Sequence, residues 1–222
     1  MSHILASKPS AVIFDLDGTL LDTEPLYTDA IQKVLDPHGH TYSMELKKRC
    51  MGGDSRRSAQ LTIEEYDLPH TVDEFLEERE SHLSSLFPHA AEIAGAGDFV
   101  TALAQHAVPI GLATSSHQHL CDMKLQHKTW HRYFHTIICG DNAAVIQGKP
   151  APDIFNACAA AISVDNSRCI AFEDSPTGIK AALAAGMTVI AVTSPYVDDA
   201  DLAVADHVIN DYHELLTVIS AW

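Results

Sequence analysis

Ala11-Val-Ile-Phe-Asp-Leu-Asp-Gly18 decides the fold class of this chain. Four apolar residues of β type run into Asp15, and Asp17 and Gly18 follow at once. A short, fully apolar run suits a strand covered on both faces, as in parallel sheets. Four more such runs lie downstream: Val108-Pro-Ile-Gly-Leu-Ala113, Thr136-Ile-Ile-Cys139, Cys169-Ile-Ala-Phe172 and Thr188-Val-Ile-Ala-Val192. Helical patterns separate them. Gly97–His106 places Phe99, Val100 and Leu103 on one side, and Ala151–Ile162 follows a proline with Ile154, Phe155 and Ala159 inward. Pro176–Ala185 closes at Gly186, a natural helix stop. Strands alternating with helices predict right-handed βαβ units and a doubly wound, Rossmann-like parallel sheet of the α/β class.

Residues 22–89 break the alternation and read as consecutive helices over about 24–36, 43–50, 54–67 and 71–87, the last with Leu76, Leu83 and Leu86 on its apolar face. The expected organisation is a Rossmann-like core of residues 1–21 and 90–222, with an α-helical cap domain at 22–89. Ligands of open α/β sheets sit beyond the carboxyl ends of the strands. A helical insertion after the first strand either covers that edge or merely packs as a lobe.

Composition narrows the classes. With 222 residues, 46% hydrophobic and 20% charged, the chain supports a substantial core without disulfides. The five cysteines, Cys50, Cys121, Cys139, Cys158 and Cys169, are odd in number and show no CxxC spacing, which fits reduced thiols. No apolar run reaches membrane-spanning length, and the first residues lack the pattern of a signal peptide, so the expected location is cytoplasmic. A net charge of −16 argues against nucleic-acid polymers and anionic membranes as partners. An anionic substrate would then need a local positive site, which a metal ion can supply.

Polar residues end nearly every expected strand: Asp15 and Asp17, Thr114 and Ser115, Glu173 and Asp174. Lys149 lies in the Gly148-Lys-Pro-Ala-Pro loop before a helix. A single acid at a strand end is as readily a helix cap. Several ends converging on one sheet edge form a site. Carboxylates without His or Cys favour a hard cation, above all Mg²⁺. A lysine beside them favours a phosphate. An Asp near such a cation can attack phosphorus, and an Asp two residues on can handle the leaving group's proton.

The stretch Phe14-Asp-Leu-Asp-Gly-Thr-Leu-Leu-Asp-Thr-Glu24 resembles the first motif of the haloacid dehalogenase superfamily. Thr114-Ser-Ser resembles its second motif and Lys149 its third. Glu173-Asp-Ser-Pro-Thr-Gly178 resembles its fourth. The resemblance spans about residues 10–195. It implies Asp15 as nucleophile and Mg²⁺ ligand, and Asp17 as general acid/base and ligand through its carbonyl. It further implies Thr114 and Ser115 as phosphoryl contacts, Lys149 as charge stabiliser, and Asp174 as the third metal ligand, with Glu173 a ligand or a support for one. Cys139-Gly-Asp, Gly148-Lys-Pro-Ala-Pro-Asp-Ile-Phe and Ala157-Cys158 are similar to pseudouridine-5′-phosphatase-like proteins and, more loosely, to the β-phosphoglucomutase-like subgroup. Haloacid dehalogenases proper lack the second Asp, so Asp17 points to phosphoryl transfer. Mutases usually carry a His where this chain has Tyr27. The resemblance therefore implies Mg²⁺-dependent hydrolysis of a small phosphorylated metabolite, of the sugar-phosphate or nucleotide-monophosphate class, through an aspartyl phosphate. The alternatives are a phosphosugar mutase and a non-enzymatic phospho-acceptor module.

Outside these motifs, Lys47-Lys-Arg49 and Arg56-Arg57 form a basic cluster around Met51-Gly52-Gly53. They either reach substrate, with Arg56 the first candidate, or pair with Glu64 or Glu65. His117 and His119, and His127, His131 and His135, read as surface residues rather than zinc ligands. Thr23 or Asp22 is expected to cap the helix that Pro25 opens, and Glu24 is an open candidate for the cleft.

Overall fold

A computed structural model of the 222-residue chain describes residues 4–5, 7–50 and 55–222. The Met51-Gly52-Gly53 junction and residue 54, the expected start of the third helix, lie outside the described residues. In chain order the strand β1 (Ala11–Phe14) and the short β2 (Leu21–Asp22) precede four helices: α1 (Glu24–Leu35), α2 (Met44–Cys50), α3 (Ser55–Tyr66) and α4 (Val72–Leu86). Then come β3 (Ala91–Glu92), α5 (Ala96–Gln105), β4 (Ile110–Thr114), α6 (Gln118–Leu125), β5 (Thr136–Cys139) and α7 (Asp153–Ile162). The chain ends with β6 (Cys169–Glu173), α8 (Pro176–Ala184), β7 (Thr188–Val192), α9 (Asp199–Leu202), β8 (His207–Ile209) and α10 (His213–Ile219).

The main sheet is six-stranded and parallel, in the order β5-β4-β1-β6-β7-β8. After β1 the chain builds outward to one side through β4 and β5, then returns to build the other side from β6. β1, β4 and β6 are thus neighbours, and their carboxyl ends flank the point where strand order reverses. The alternation within β1 explains the two-sided burial. Ala11 and Ile13 join a cluster with Ala113, Phe155, Cys158, Ala171 and Val189. Phe14 faces the other way, stacked on Phe172 at 4.9 Å and edge-on to Phe99 at 6.2 Å, with the buried Tyr212 alongside. β8 was not read from the sequence, and β2 pairs with β3 in a separate two-stranded ladder.

The chain divides into two compact units, Met1–Asp22 with Ala91–Trp222, and Thr23–Ala90. Within the helical unit α4 packs on α1 and α3, around Ile31, Val34, Leu35, Ala59, Leu68 and Phe75. A capping box of Thr71 and Glu74 opens α4. The buried stripe of α4 is Phe75, Arg79 and Leu83, so an arginine takes a position where a hydrophobic pattern expects an apolar residue. At the start of α1, Thr23 is the N-cap residue, but its side chain makes no capping bond, which corrects the expectation above. Its backbone is helical there (φ −93°, ψ −14°) rather than extended, the conformation a capping side chain needs. All five cysteines are free thiols. Among the described residues no helix is long and apolar enough to cross a membrane.

Candidate active site

β1 ends at Phe14, and the Asp15 amide still donates to the Phe172 carbonyl of β6 at 2.9 Å. The Asp15 carboxylate is thereby held at the sheet edge, 6% exposed. The chain then turns sharply. Gly18 sits at φ +80°, and a Cβ there would overlap the Asp174 carboxylate. Only glycine allows both that left-handed backbone and that close approach. The turn closes through Gly18 N to the Leu21 carbonyl at 2.7 Å and presents Thr19, whose hydroxyl donates to Asp174 Oδ1 at 3.0 Å.

β6 supplies the opposite wall. Glu173 is completely buried and both its oxygens are engaged. Oε1 accepts from Lys149 Nζ at 2.6 Å. Oε2 accepts from the Asp174 and Ser175 amides at 3.1 Å each and from the Ser175 hydroxyl at 3.0 Å. Ser175 caps α8 by accepting from the Gly178 amide, and a Cβ on Gly178 would overlap Glu173. Lys149 links the two walls: its Nζ donates to Asp15 Oδ1 at 2.5 Å, to Glu173 and to the Ala113 carbonyl of β4 at 3.0 Å.

The electrostatics follow from three acids and one cation. Asp15, Glu173 and Asp174 each offer an oxygen, and these lie within 4.8 Å of one another. Burial raises the Asp15 carboxyl to about 7; Lys149 opposes the shift, while Glu173 and Asp17 add to it. Asp174 is pushed well above the carboxylate range by burial, then by Glu173 and Asp15. Burial alone would lower the Lys149 ammonium, but Asp15 and Glu173 outweigh it and hold the group above its ordinary range. Two carboxyls forced toward neutrality by burial, and further by neighbouring acids, form a site short of positive charge. An oxygen-only donor set with excess negative charge fits a hard divalent cation.

The expected residues distribute as follows. Asp15, Lys149, Glu173 and Asp174 form one connected cluster. Asp17 lies next to it with its carboxylate turned to Ser116 and Lys124. Thr114 is completely buried at the end of β4, its hydroxyl oxygen accepting from the Ser116 amide at 3.1 Å, and Ser115 beside it is exposed. Arg56 lies in the helical unit, 64% exposed, paired with Asp73 at 2.6 Å. Arg49 pairs with Glu65, as expected of such a cluster, whereas Lys47 is buried and lies 3.6 Å from Glu24. His117, His119, His127, His131 and His135 are exposed, and among the described residues the acidic trio is the one group spaced to hold a metal.

Lys124, Ser116 and Thr19 were missed. Lys124 belongs to the buried stripe of α6, with Cys121 and Leu125. Its signal was a lysine at the i, i+3, i+4 inward spacing. Arg79 carries the same signal in the helical unit. It is 6% exposed with its Nε unpartnered among the described residues, and its guanidinium lies 5.8 Å from the Tyr27 ring centre.

Residues 12–192 match the model of a family described as haloacid dehalogenase-like hydrolase. The chain is similar to a probable pseudouridine-5′-phosphatase of Drosophila melanogaster, 38% identical over 199 residues, covering 88% of this chain and 86% of the relative. It is equally similar to (DL)-glycerol-3-phosphatase 2 of Arabidopsis thaliana, 38% identical over 204 residues, covering 89% and 85%. Among solved structures, a putative β-phosphoglucomutase from Thermotoga maritima superposes with a TM-score of 0.82 at 29% identity, covering 96% of this chain and 99% of that one.

Proposed function

The chain belongs to the haloacid dehalogenase-like hydrolase family, and on that premise we propose that it hydrolyses small phosphomonoesters through an aspartyl phosphate on Asp15, with Mg²⁺ as cofactor. It is a phosphoric monoester hydrolase acting on small phosphorylated substrates. Sugar phosphates and nucleotide monophosphates are the proposed class. The sheet-bearing unit is the catalytic core, and the helical unit is the cap.

One observation carries the mechanism: Asp15, Glu173 and Asp174 share a pocket of oxygens around the Lys149 ammonium at the carboxyl ends of β1 and β6. Asp15, Asp174 and the Asp17 carbonyl would hold Mg²⁺, which when bound supplies the charge that draws both carboxyls into their ionised forms and binds a phosphate dianion. Glu173 already accepts from Lys149, from the Asp174 and Ser175 amides and from the Ser175 hydroxyl, and so anchors Lys149 and the start of α8 beside the metal ligands. Lys149 shields Asp15 from the approaching dianion and balances charge as it develops. Thr114 and the Ser115 backbone hold the phosphoryl oxygens.

Atoms balance in two steps. Asp15 Oδ forms a bond to phosphorus as the ester P–O bond breaks, and the leaving oxygen takes a proton from Asp17. Water then attacks phosphorus and gives its proton to Asp17. Inorganic phosphate leaves and Asp15 is free again. The test is a phosphate-release screen over sugar and nucleotide monophosphates with Mg²⁺, with Asp15→Asn as control. Release by the wild type alone supports the proposal; equal release by both proteins would defeat it.

A further inference from the structure

Lys124 is completely buried on the inner face of α6, and its ammonium meets two side chains of the neighbouring turns. It donates to Asp17 Oδ1 at 2.6 Å and to Ser116 Oγ at 2.8 Å. The Ser116 hydroxyl in turn donates to Asp17 Oδ2 at 2.9 Å. Both oxygens of the Asp17 carboxylate are therefore held, one by each partner, and the partners also bond to each other. Ser116 is itself set by its amide bond to the Thr114 hydroxyl.

A buried ion pair of this kind is weak evidence for stability, since well-packed apolar residues often serve as well or better. What it does supply is orientation. Asp17 lies where the chain turns at Gly18, outside the named strands and helices, its backbone in an isolated bridge with Leu21. We propose that Lys124, with Ser116, is a positioning residue that sets the Asp17 carboxyl for proton transfer in both halves of the reaction. The inference rests on the proton-handling role of Asp17 proposed above. The Lys124 ammonium bonds Asp17 and Ser116. It is distinct from Lys149, which lies on Asp15 and Glu173.

Misplacing an acid or base slows the proton step and spares phosphate binding. The experiment uses the full chain with Mg²⁺ and follows single-turnover formation and breakdown of the phosphoenzyme. The probes are p-nitrophenyl phosphate, whose leaving group departs without a proton, and phenyl phosphate, whose leaving group needs one. Lys124→Met should slow formation about 10-fold or more with phenyl phosphate and much less with p-nitrophenyl phosphate. It should slow breakdown equally whichever ester formed the intermediate, and leave substrate affinity unchanged. In an Asp17→Asn background the same substitution should add almost nothing. Ser116→Ala removes one arm and one acceptor of the ammonium but keeps the Lys124–Asp17 ion pair, and it should show the same pattern more weakly even if Lys124→Met folds poorly. An equal loss with both esters, or an equal loss in both backgrounds, would overturn the positioning role while leaving the reaction intact. Wild-type rates in Asp17→Asn alone would instead remove the proton-handling reading, and the inference with it.

Discussion

The metal-free protein should lose stability as pH rises, and Asp15 should carry the loss. Its carboxyl is raised to about 7 in the folded chain, against an ordinary 3.8 that the unfolded chain adopts. Between those two values the folded chain holds a proton that the unfolded chain has released. Rising pH therefore favours unfolding, by about 1.4 kcal/mol for each pH unit. Across a gap of about three units the loss is about 4 kcal/mol, a large share of an ordinary domain's stability. Below the lower value both states are protonated and the stability is fully present. Above about 7 both are ionised and the loss is complete. Lys149 already opposes burial in setting that pKa, so it adds no separate contribution. Asp174 is raised in the same direction and steepens the fall. Saturating Mg²⁺ favours both ionised forms and should flatten the profile. The assay is urea unfolding in EDTA across this window, for the wild type and Asp15→Asn. The asparagine does not titrate, so its stability relative to the wild type should climb by about 4 kcal/mol from the acid to the neutral end. A difference that stays flat or shrinks as pH rises would refute the reasoning.

Three further outcomes follow from the site. EDTA should abolish turnover and Mg²⁺ should restore it better than Ca²⁺, which takes more ligands at longer range; full activity after exhaustive chelation would contradict the metal assignment. Asp17→Asn should slow phosphoenzyme breakdown more than it weakens Mg²⁺ binding, because the carbonyl ligand survives and the base does not; single-turnover kinetics and a metal titration separate the two. Gly178→Ala should lower the melting temperature although alanine favours helix by about 1 kcal/mol, because the added Cβ displaces Glu173 from Lys149. Overpacking of this kind costs roughly 1–3 kcal/mol, or several degrees for a chain this size, and an unchanged or higher melting temperature would show that Glu173 moves aside freely.

The parallel sheet was legible because β1, β4, β6 and β7 are buried on both faces and read as unbroken apolar runs. β8 escaped notice because His207-Val-Ile209 is short, partly exposed and edge-placed, with no apolar run to mark it. The acids of the site were legible because each ends a strand. Lys124 and Arg79 were not, since a long cationic side chain on a helix normally reaches solvent. Only the packing of α6 and α4 shows that these two do not. The Thr23 cap failed for a local reason: the residue type was right, but its helical backbone turns the hydroxyl away from a capping role. Arg56 stands out in the sequence for its charge, and in the structure it is an exposed partner of Asp73.

The central claim is that Asp15 itself carries the phosphoryl group, and chemical trapping tests it most directly. The full chain would be quenched during turnover of p-nitrophenyl phosphate with Mg²⁺ and treated with borohydride, which reduces an acyl phosphate to an alcohol. Mass spectrometry of the peptide containing Asp15 should then show homoserine at residue 15 and nowhere else. Steady turnover with residue 15 unmodified, or with the label on another residue, would contradict the account.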